Sequence, residues 1–291
     1  MATTRVTVAL AGNPNSGKTT IFNNITGARQ HVGNYSGVTV ERREGFRRFQ
    51  GQDLMLVDLP GTYSLTANSL DEIVARNVII DEKPDIIVNI LDAANLERNL
   101  YLAAQLMELE RPMVLTLNMT DVAEASGVKF NEEALVRRFG IPVVRTVGNR
   151  NQGTDELLQT VVDAAKHLAF RPFKINYGVK IEAAITEVVN ALVELTGVKY
   201  PQRWLAIKLL ENDGEVKAAV SKIQGGEKLL ALALAVRNKT MIVIGEELEI
   251  AIAECRYHFV HEVYEGFVDA SKRMEETRSD RIDRVLTHRV F

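Results

Sequence analysis

Val6-Thr7-Val8-Ala9-Leu10-Ala11-Gly12-Asn13-Pro14-Asn15-Ser16-Gly17-Lys18-Thr19 decides the fold of the first part of the chain. Its front half is apolar and rich in β-branched residues, which reads as a buried strand. Its back half matches G-x-x-x-x-G-K-S/T, and a helical pattern follows over 18–26. Strand, glycine-rich turn and helix form the context that a phosphate-binding loop requires. The glycines let successive N–H groups curl inward toward phosphate oxygens, and the helix adds its positive end. Gly12, Asn13, Pro14, Asn15, Ser16, Gly17, Lys18, Thr19 and Thr20 are the candidate phosphate contacts. Lys18 is in reach of the β- and γ-phosphates, and the Thr19 hydroxyl is placed to ligate Mg²⁺.

Outward from this loop, strand-like runs recur at 5–11, 53–58, 86–92, 113–118 and 142–147. Helical patterns lie between them at 18–26, 70–82, 96–110, 132–138 and 154–168. Such alternation predicts an α/β P-loop domain, with a mostly parallel sheet and helices on both faces. The Arg-rich stretch 38–49 alternates weakly, and a turn at Gly51-Gln52 folds it onto 53–58 as a hairpin. Arg42, Arg43, Arg47 and Arg48 read as a solvated edge strand protected by charge. After Arg171-Pro172 the pattern becomes helical, at 181–195, 202–210, 216–223, 227–236 and 248–272, while 240–244 is strand-like on propensity. The expected division is a nucleotide-binding domain over 1–170, a smaller all-α domain over 171–270 and a tail over 271–291.

Three further stretches follow the loop in order. Asp58-Leu59-Pro60-Gly61 closes the run 53–58, where a carboxylate can hold Mg²⁺ through water and the Gly61 N–H can meet the γ-phosphate. Asn118-Met119-Thr120-Asp121 closes the run 113–118. The Asp121 carboxylate can accept from N1–H and the N2 amino group of guanine; adenine lacks that donor pair, so it would leave the carboxylate unpaired. Asn118 is expected to brace the loop. Between these motifs, residues 29–39 hold no regular pattern. Residues 29–39 are therefore a candidate switch, with Ser36, Gly37, Val38 and Thr39 as candidate nucleotide contacts and Thr39 completing the Mg²⁺ shell when a γ-phosphate is present. Val147, Gly148 and Asn149 follow the last strand, where backbone N–H groups can reach guanine O6. Related GTPases carry Ser-Ala there; the glycine predicts weaker loop order and fast GDP release.

Composition narrows the remaining classes. The 291-residue chain has net charge −3, so no whole-chain attraction to nucleic acid is indicated. Its single cysteine, Cys255, forbids an internal disulfide. The longest apolar run, 229–236, is far short of the roughly 18 residues that span a bilayer. Neither a Ser-His-Asp triad nor zinc-ligand spacing is present.

The stretches GNPNSGKTT-IFN, HVGNYSGVTVERREG, DLPGTYSL, LDAANLERNLYL and NMTD together resemble the N-terminal cytoplasmic GTPase region of the ferrous iron transport protein B family, FeoB. The likeness covers essentially the whole chain, more weakly over the second domain. It extends to the tail SDRIDRVLTHRVF, which looks like the segment before that family's first membrane helix. It implies the cytoplasmic face of a bacterial inner membrane, a C-terminal transmembrane iron-transport domain as partner, small accessory proteins, homo-oligomers and no nucleic acid. It also implies GTP and GDP as ligands, Mg²⁺, and K⁺ at Asn15 in the role of an arginine finger. On this basis Asn15, Lys18, Thr39 and Gly61 are the candidate catalytic residues. Where Ras-like proteins carry a water-orienting Gln, this chain has Thr62, so slow turnover is expected, on the order of 10⁻⁴–10⁻² s⁻¹. The second domain resembles one that modulates nucleotide release.

Glu254, His258, His261 and Glu262 share roughly one helix face, which is more often solvated than metal-binding. Trp204 reads as core. Two alternatives stay open: a ribosome- or tRNA-maturation GTPase, and a GTP-dependent interaction switch with negligible hydrolysis.

Overall fold

The structure, a computed structural model, describes residues 5–167, 172–193 and 195–269. β1 (Val6–Gly12), β4 (Gln52–Asp58), β5 (Ile86–Asp92), β6 (Met113–Asn118) and β8 (Val143–Arg145) run parallel. β2 (Gln30–Asn34) and β3 (Glu41–Phe49) complete one seven-stranded sheet in the order β2-β3-β4-β1-β5-β6-β8, with β3 antiparallel to both neighbours. The parallel strands are buried on both faces, so their sequences read as nearly continuous apolar runs.

One face carries α1 (Lys18–Thr26) and α6 (Thr154–His167). Ile21, Phe22, Ile25, Leu157 and Val161 pack there on Val8, Leu10, Leu56 and Val88. The other face carries α2 (Leu70–Asp81), α3 (Leu96–Glu108) and α5 (Glu132–Phe139). Its core continues without a break into α7 (Gly178–Leu192), α8 (Gln202–Leu210), α10 (Gly226–Ile244) and α11 (Leu248–Phe267), with α9 (Gly214–Val220) alongside. Trp204 is buried in this shared core.

Two buried ionic clusters lie on the junction. Arg256 of α11 makes a two-pronged contact with Glu108 of α3 (Nε–Oε1 3.0 Å, Nη2–Oε2 3.0 Å) and also meets Glu211. Lys208 donates to Glu211 at 2.7 Å. Arg76 of α2 meets Asp213, the N-cap of α9, at 2.7 Å. Removing one partner from such a buried pair strands the other, at roughly 3–5 kcal/mol, so these contacts hold the two halves in one arrangement. A short ladder adds to them. β7 (Lys129–Phe130), between α4 (Thr120–Ala125) and α5, pairs antiparallel with β9 (Val268–Asp269), and Phe130 stacks on Phe267 at 5.6 Å.

Four expectations from the sequence are corrected here. Residues 30–34, expected to be irregular, form β2, which borrows its ladder from β3. That places β3 inside the sheet, and three of its arginines are paired rather than simply solvated: Arg42 with Glu44 and Glu82, Arg43 with Glu41, Arg48 with Asp53. The hairpin to β4 turns at Gln50-Gly51, both left-handed (φ 45° and 79°), a pairing that fits type I′ twist. Residues 240–244 are helical and continue α10. The expected boundary at 170–171 and the tail 271–291 lie outside the described residues.

Candidate nucleotide site

The phosphate loop bridges β1 and α1, and its shape is fixed by close approach. Gly17 sits at φ 85°, and a Cβ there would lie 2.1 Å from Asn118 Nδ2, so no other residue fits. Asn15 is also left-handed (φ 67°), with its side chain exposed at the mouth of the loop. Asn13 and Ser16 are buried, yet both polar atoms of the Asn13 side chain and the Ser16 hydroxyl lack a partner. Buried orphan groups of this kind are rare and call for an explanation such as a bound ion or water.

Lys18 is buried and its Nζ contacts Asp58 Oδ1. Burial pushes the Asp58 carboxyl above its ordinary pKa, outweighing the contact with Lys18 that pulls it down. The cation suited to phosphate and the anion suited to a metal therefore neutralise each other. The chemistry of this set fits a Mg–nucleotide: a lysine, a carboxylate and the exposed Thr19 hydroxyl at the start of α1. After Asp58, Leu59 is buried, and Thr62 N–H donates to Gly12 O at 3.3 Å, which seats Pro60 and Gly61 against the loop. A Cβ on Gly61 would be 3.4 Å from Pro14.

Asn118 is the hub of the guanine side. Its Nδ2 donates to Ser16 O at 2.8 Å, while its Oδ1 accepts from Gly148 N–H at 3.0 Å and Thr146 Oγ1 at 3.1 Å. One side chain thus ties the phosphate loop to the segment after β8, as expected of a brace. Met119 is left-handed (φ 60°) and opens α4, leaving Thr120 buried and Asp121 partly exposed. Thr120 Oγ1 reaches Thr146 O at 3.4 Å.

Gly148 differs from its sequence reading. It is packed, not slack: a Cβ would meet Ile21 at 3.2 Å and Asn118 Oδ1 at 3.3 Å, and Asn24 donates to its carbonyl at 2.7 Å.

Ser36, Gly37, Val38 and Thr39 lie at the tip of the β2–β3 hairpin. Tyr35 N–H donates to Val40 O at 3.0 Å and closes that tip. The Tyr35 ring is buried, while Ser36, Gly37 and Thr39 are exposed. Among the described residues no hydrogen bond joins Thr39 to the phosphate loop. The structure therefore brings together 12–20, 58–61, 118–121 and 147–149, and leaves 36–39 apart.

Supports that the sequence reading passed over are local and long-range. Ser69 caps α2 by accepting from Glu72 N–H at 3.3 Å, and Glu72 accepts from Ser64 Oγ at 2.8 Å and Asn68 N–H at 2.9 Å. The spacing Ser69-x-x-Glu72 is a capping signal that marks this support in the sequence. Gln105 accepts from Leu65 N–H at 2.7 Å, a contact without sequence signature. On α11, His261 pairs with Glu97 at 2.8 Å, and no group of three or more metal-binding side chains occurs among the described residues.

A mostly parallel sheet with this loop and the Asn118–Asp121 loop at its C-terminal edge, followed by a helical domain, is that of a P-loop GTPase. The family described as ferrous iron transport protein B matches residues 6–161, and the FeoB cytosolic helical domain matches residues 177–269. The chain belongs to the FeoB family. It is 41% identical over 98% of its length to an Fe(2+) transport protein A/Fe(2+) transporter FeoB fusion protein of Porphyromonas gingivalis. It is 38% identical over 88% of its length to an Fe(2+) transporter FeoB of Escherichia coli. It spans about a third of those relatives, 35% and 32% respectively. Among solved structures, a GDP-bound variant of S. thermophilus NFeoB superposes with TM-score 0.82 at 36% identity, covering 91% of this chain and all of that one. The GMPPNP form of the T. maritima FeoB cytosolic domain does so with TM-score 0.78 at 33% identity, covering 90% of this chain and 99% of that one. No helix among the described residues is long and apolar enough to cross a membrane.

Proposed function

We propose that this chain is the nucleotide-operated part of a bacterial Fe²⁺ transporter, working at the cytoplasmic face of the inner membrane. It binds GTP through 12–20, selects guanine with Asp121 and hydrolyses the γ-phosphate bond. The observation that carries this reading is the three-way brace at Asn118, which sets a base-reading carboxylate at a fixed distance from a phosphate cradle. Its partners are its own transmembrane iron-transport domain, small accessory proteins and further copies of itself. The fusion of an Fe(2+) transport protein A to one relative supports the accessory partner. The working units are a nucleotide domain over 1–170, a helical regulatory domain over 171–270 and a juxtamembrane tail over 271–291.

Thr19, Thr39 and Asp58 would hold Mg²⁺, and Asn15 would hold K⁺; bound there, the cations would neutralise negative charge that develops on the phosphates. Lys18 leaves Asp58 for the phosphates, which frees the carboxylate for the metal side. Gly61 offers its N–H to the γ-phosphate. Val147, Gly148 and Asn149 face guanine O6, and GDP leaves fast. Thr39 reaches the site only when the hairpin tip swings inward, so the tip reports the γ-phosphate.

Thr62 is buried with its N–H spent on Gly12, and it stands where Ras-like proteins carry the glutamine that orients the attacking water. That favours, as a second reading, an interaction switch with negligible hydrolysis. Phosphate release in K⁺ and then in Na⁺ buffer separates the two. The first reading expects GTP-dependent release, at least several-fold faster in K⁺; release no faster than buffer alone in either salt overturns it. Family membership removes the ribosome- and tRNA-maturation reading.

A further inference from the structure

The segment after β8 is a self-closed turn. Val147 and Gln152 exchange backbone hydrogen bonds at 3.1 and 3.2 Å. Inside that clasp, Arg150 N–H donates to Val147 O at 3.0 Å and Asn151 N–H to Gly148 O at 3.1 Å. Asn151 is left-handed, and its Oδ1 accepts from Thr154 Oγ1 at 2.8 Å. From this turn Arg150 reaches back across the site: its Nη2 lies 3.5 Å from Oδ2 of Asp121. Among the described residues Arg150 is the one salt-bridge partner of that carboxylate.

The guanine edge read by a carboxylate is N1–H, C2 and the exocyclic N2. These atoms are a guanidine unit closed into a ring. An arginine side chain offers the same planar fork of donors, with a full positive charge. We propose that Arg150 is a tethered stand-in for guanine: it holds Asp121 in the nucleotide-free chain and must be displaced before the base can take its place. The inference rests on Asp121 being the base reader. It supplies a route to fast GDP departure that needs no disorder in the 147–153 turn. As the base tilts away, a competing guanidinium stands ready to claim the carboxylate. Because the contest is over the base, it falls equally on di- and triphosphates.

A partly exposed ion pair of this kind changes an equilibrium by roughly 1.5- to 5-fold. The test is titration of the whole chain with fluorescent GDP and GMPPNP analogues, at fixed K⁺ and at low and high NaCl. Arg150→Gln should tighten both nucleotides about 2- to 5-fold at low salt, and the gain should shrink toward one at high salt. Arg150→Lys, which keeps the charge and loses the fork, should fall between. In an Asp121→Asn background assayed with xanthosine diphosphate, Arg150→Gln should bring no gain, because a neutral amide does not hold the guanidinium. Unchanged or weaker GDP binding in Arg150→Gln overturns the proposal, as does an equal gain in the Asn background. Failure of the underlying reading looks different: the unaltered chain would not prefer GDP to ADP.

Discussion

Asn118→Ala is the substitution by which the site stands or falls. The amide has three buried partners, at 2.8, 3.0 and 3.1 Å. When it is removed, Thr146 Oγ1 falls back on Leu117 O, already 3.5 Å away. Ser16 O and Gly148 N–H have no such fallback in this site. With two groups left unpaired at about 1–3 kcal/mol each, the expected loss is ~2–6 kcal/mol. At roughly 2–4 °C per kcal/mol for chains of 150–250 residues, Tm should fall by about 4–24 °C. The same cut unties the phosphate loop from the turn that faces the base, and displacement of binding groups by about 1 Å is enough to cost tenfold or more. GDP affinity should therefore drop at least ~10-fold, and GDP should raise Tm less than it does in the parent. Differential scanning fluorimetry with and without GDP, plus a nucleotide titration, measures both. Thr146→Val, which deletes one bond of the three, should cost no more than about 1.5 kcal/mol. If Asn118→Ala melts within 2 °C of the parent and binds GDP equally well, on the order of no change against these estimates, the brace is not what holds the site together.

Two further outcomes follow from the geometry. Gly153 sits at φ 78°, and a Cβ there would lie 2.1 Å from Arg145 O. Gly153→Ala should destabilise by more than about 1 kcal/mol and loosen guanine nucleotides, read by thermal melts and GDP titration. Glu211 is wholly buried, which alone would raise its pKa, but Arg256 and then Lys208 bring it down to about 2 from an ordinary 4.5. A depressed carboxylate gives its full stabilisation above pH 4.5 and loses it as pH falls through about 2. Stability measured by urea melts should therefore decline across that window, and Glu211→Gln should be less stable at neutral pH but flatter in acid.

The parallel core was legible because burial on both faces leaves apolar strands that polar helices punctuate. β2 was not: Gln30-His31-Val32-Gly33-Asn34 has no alternation of its own, and its ladder comes from β3. Residues 240–244 carry β-branched side chains, yet Leu229, Ala233, Val236 and Thr240 are buried at helical spacing, and that period overrides propensity. Thr240 also returns its hydroxyl to Val236 O at 2.8 Å, as a helical threonine does. In the site, the motif residues were readable because each role belongs to a residue type at a fixed offset. The contacts among them were not, since Asn118 lies 102 residues from Ser16 and 30 from Gly148. Gly148 shows the limit of reading a residue by type. Glycine permits both slackness and tight packing, and here Ile21 and Asn118 select the second.

The pairing of β7 with β9 changes what kind of motion is open to the helical half. α11 is fastened at its far end by Phe267 O, which accepts from Asn131 N–H at 3.0 Å, and along its middle by Arg256 on Glu108. A helix held at both points carries its anchors with it: any travel of that half relative to the sheet moves α3 and β7 as well, and β7 follows α4, the helix that bears Asp121.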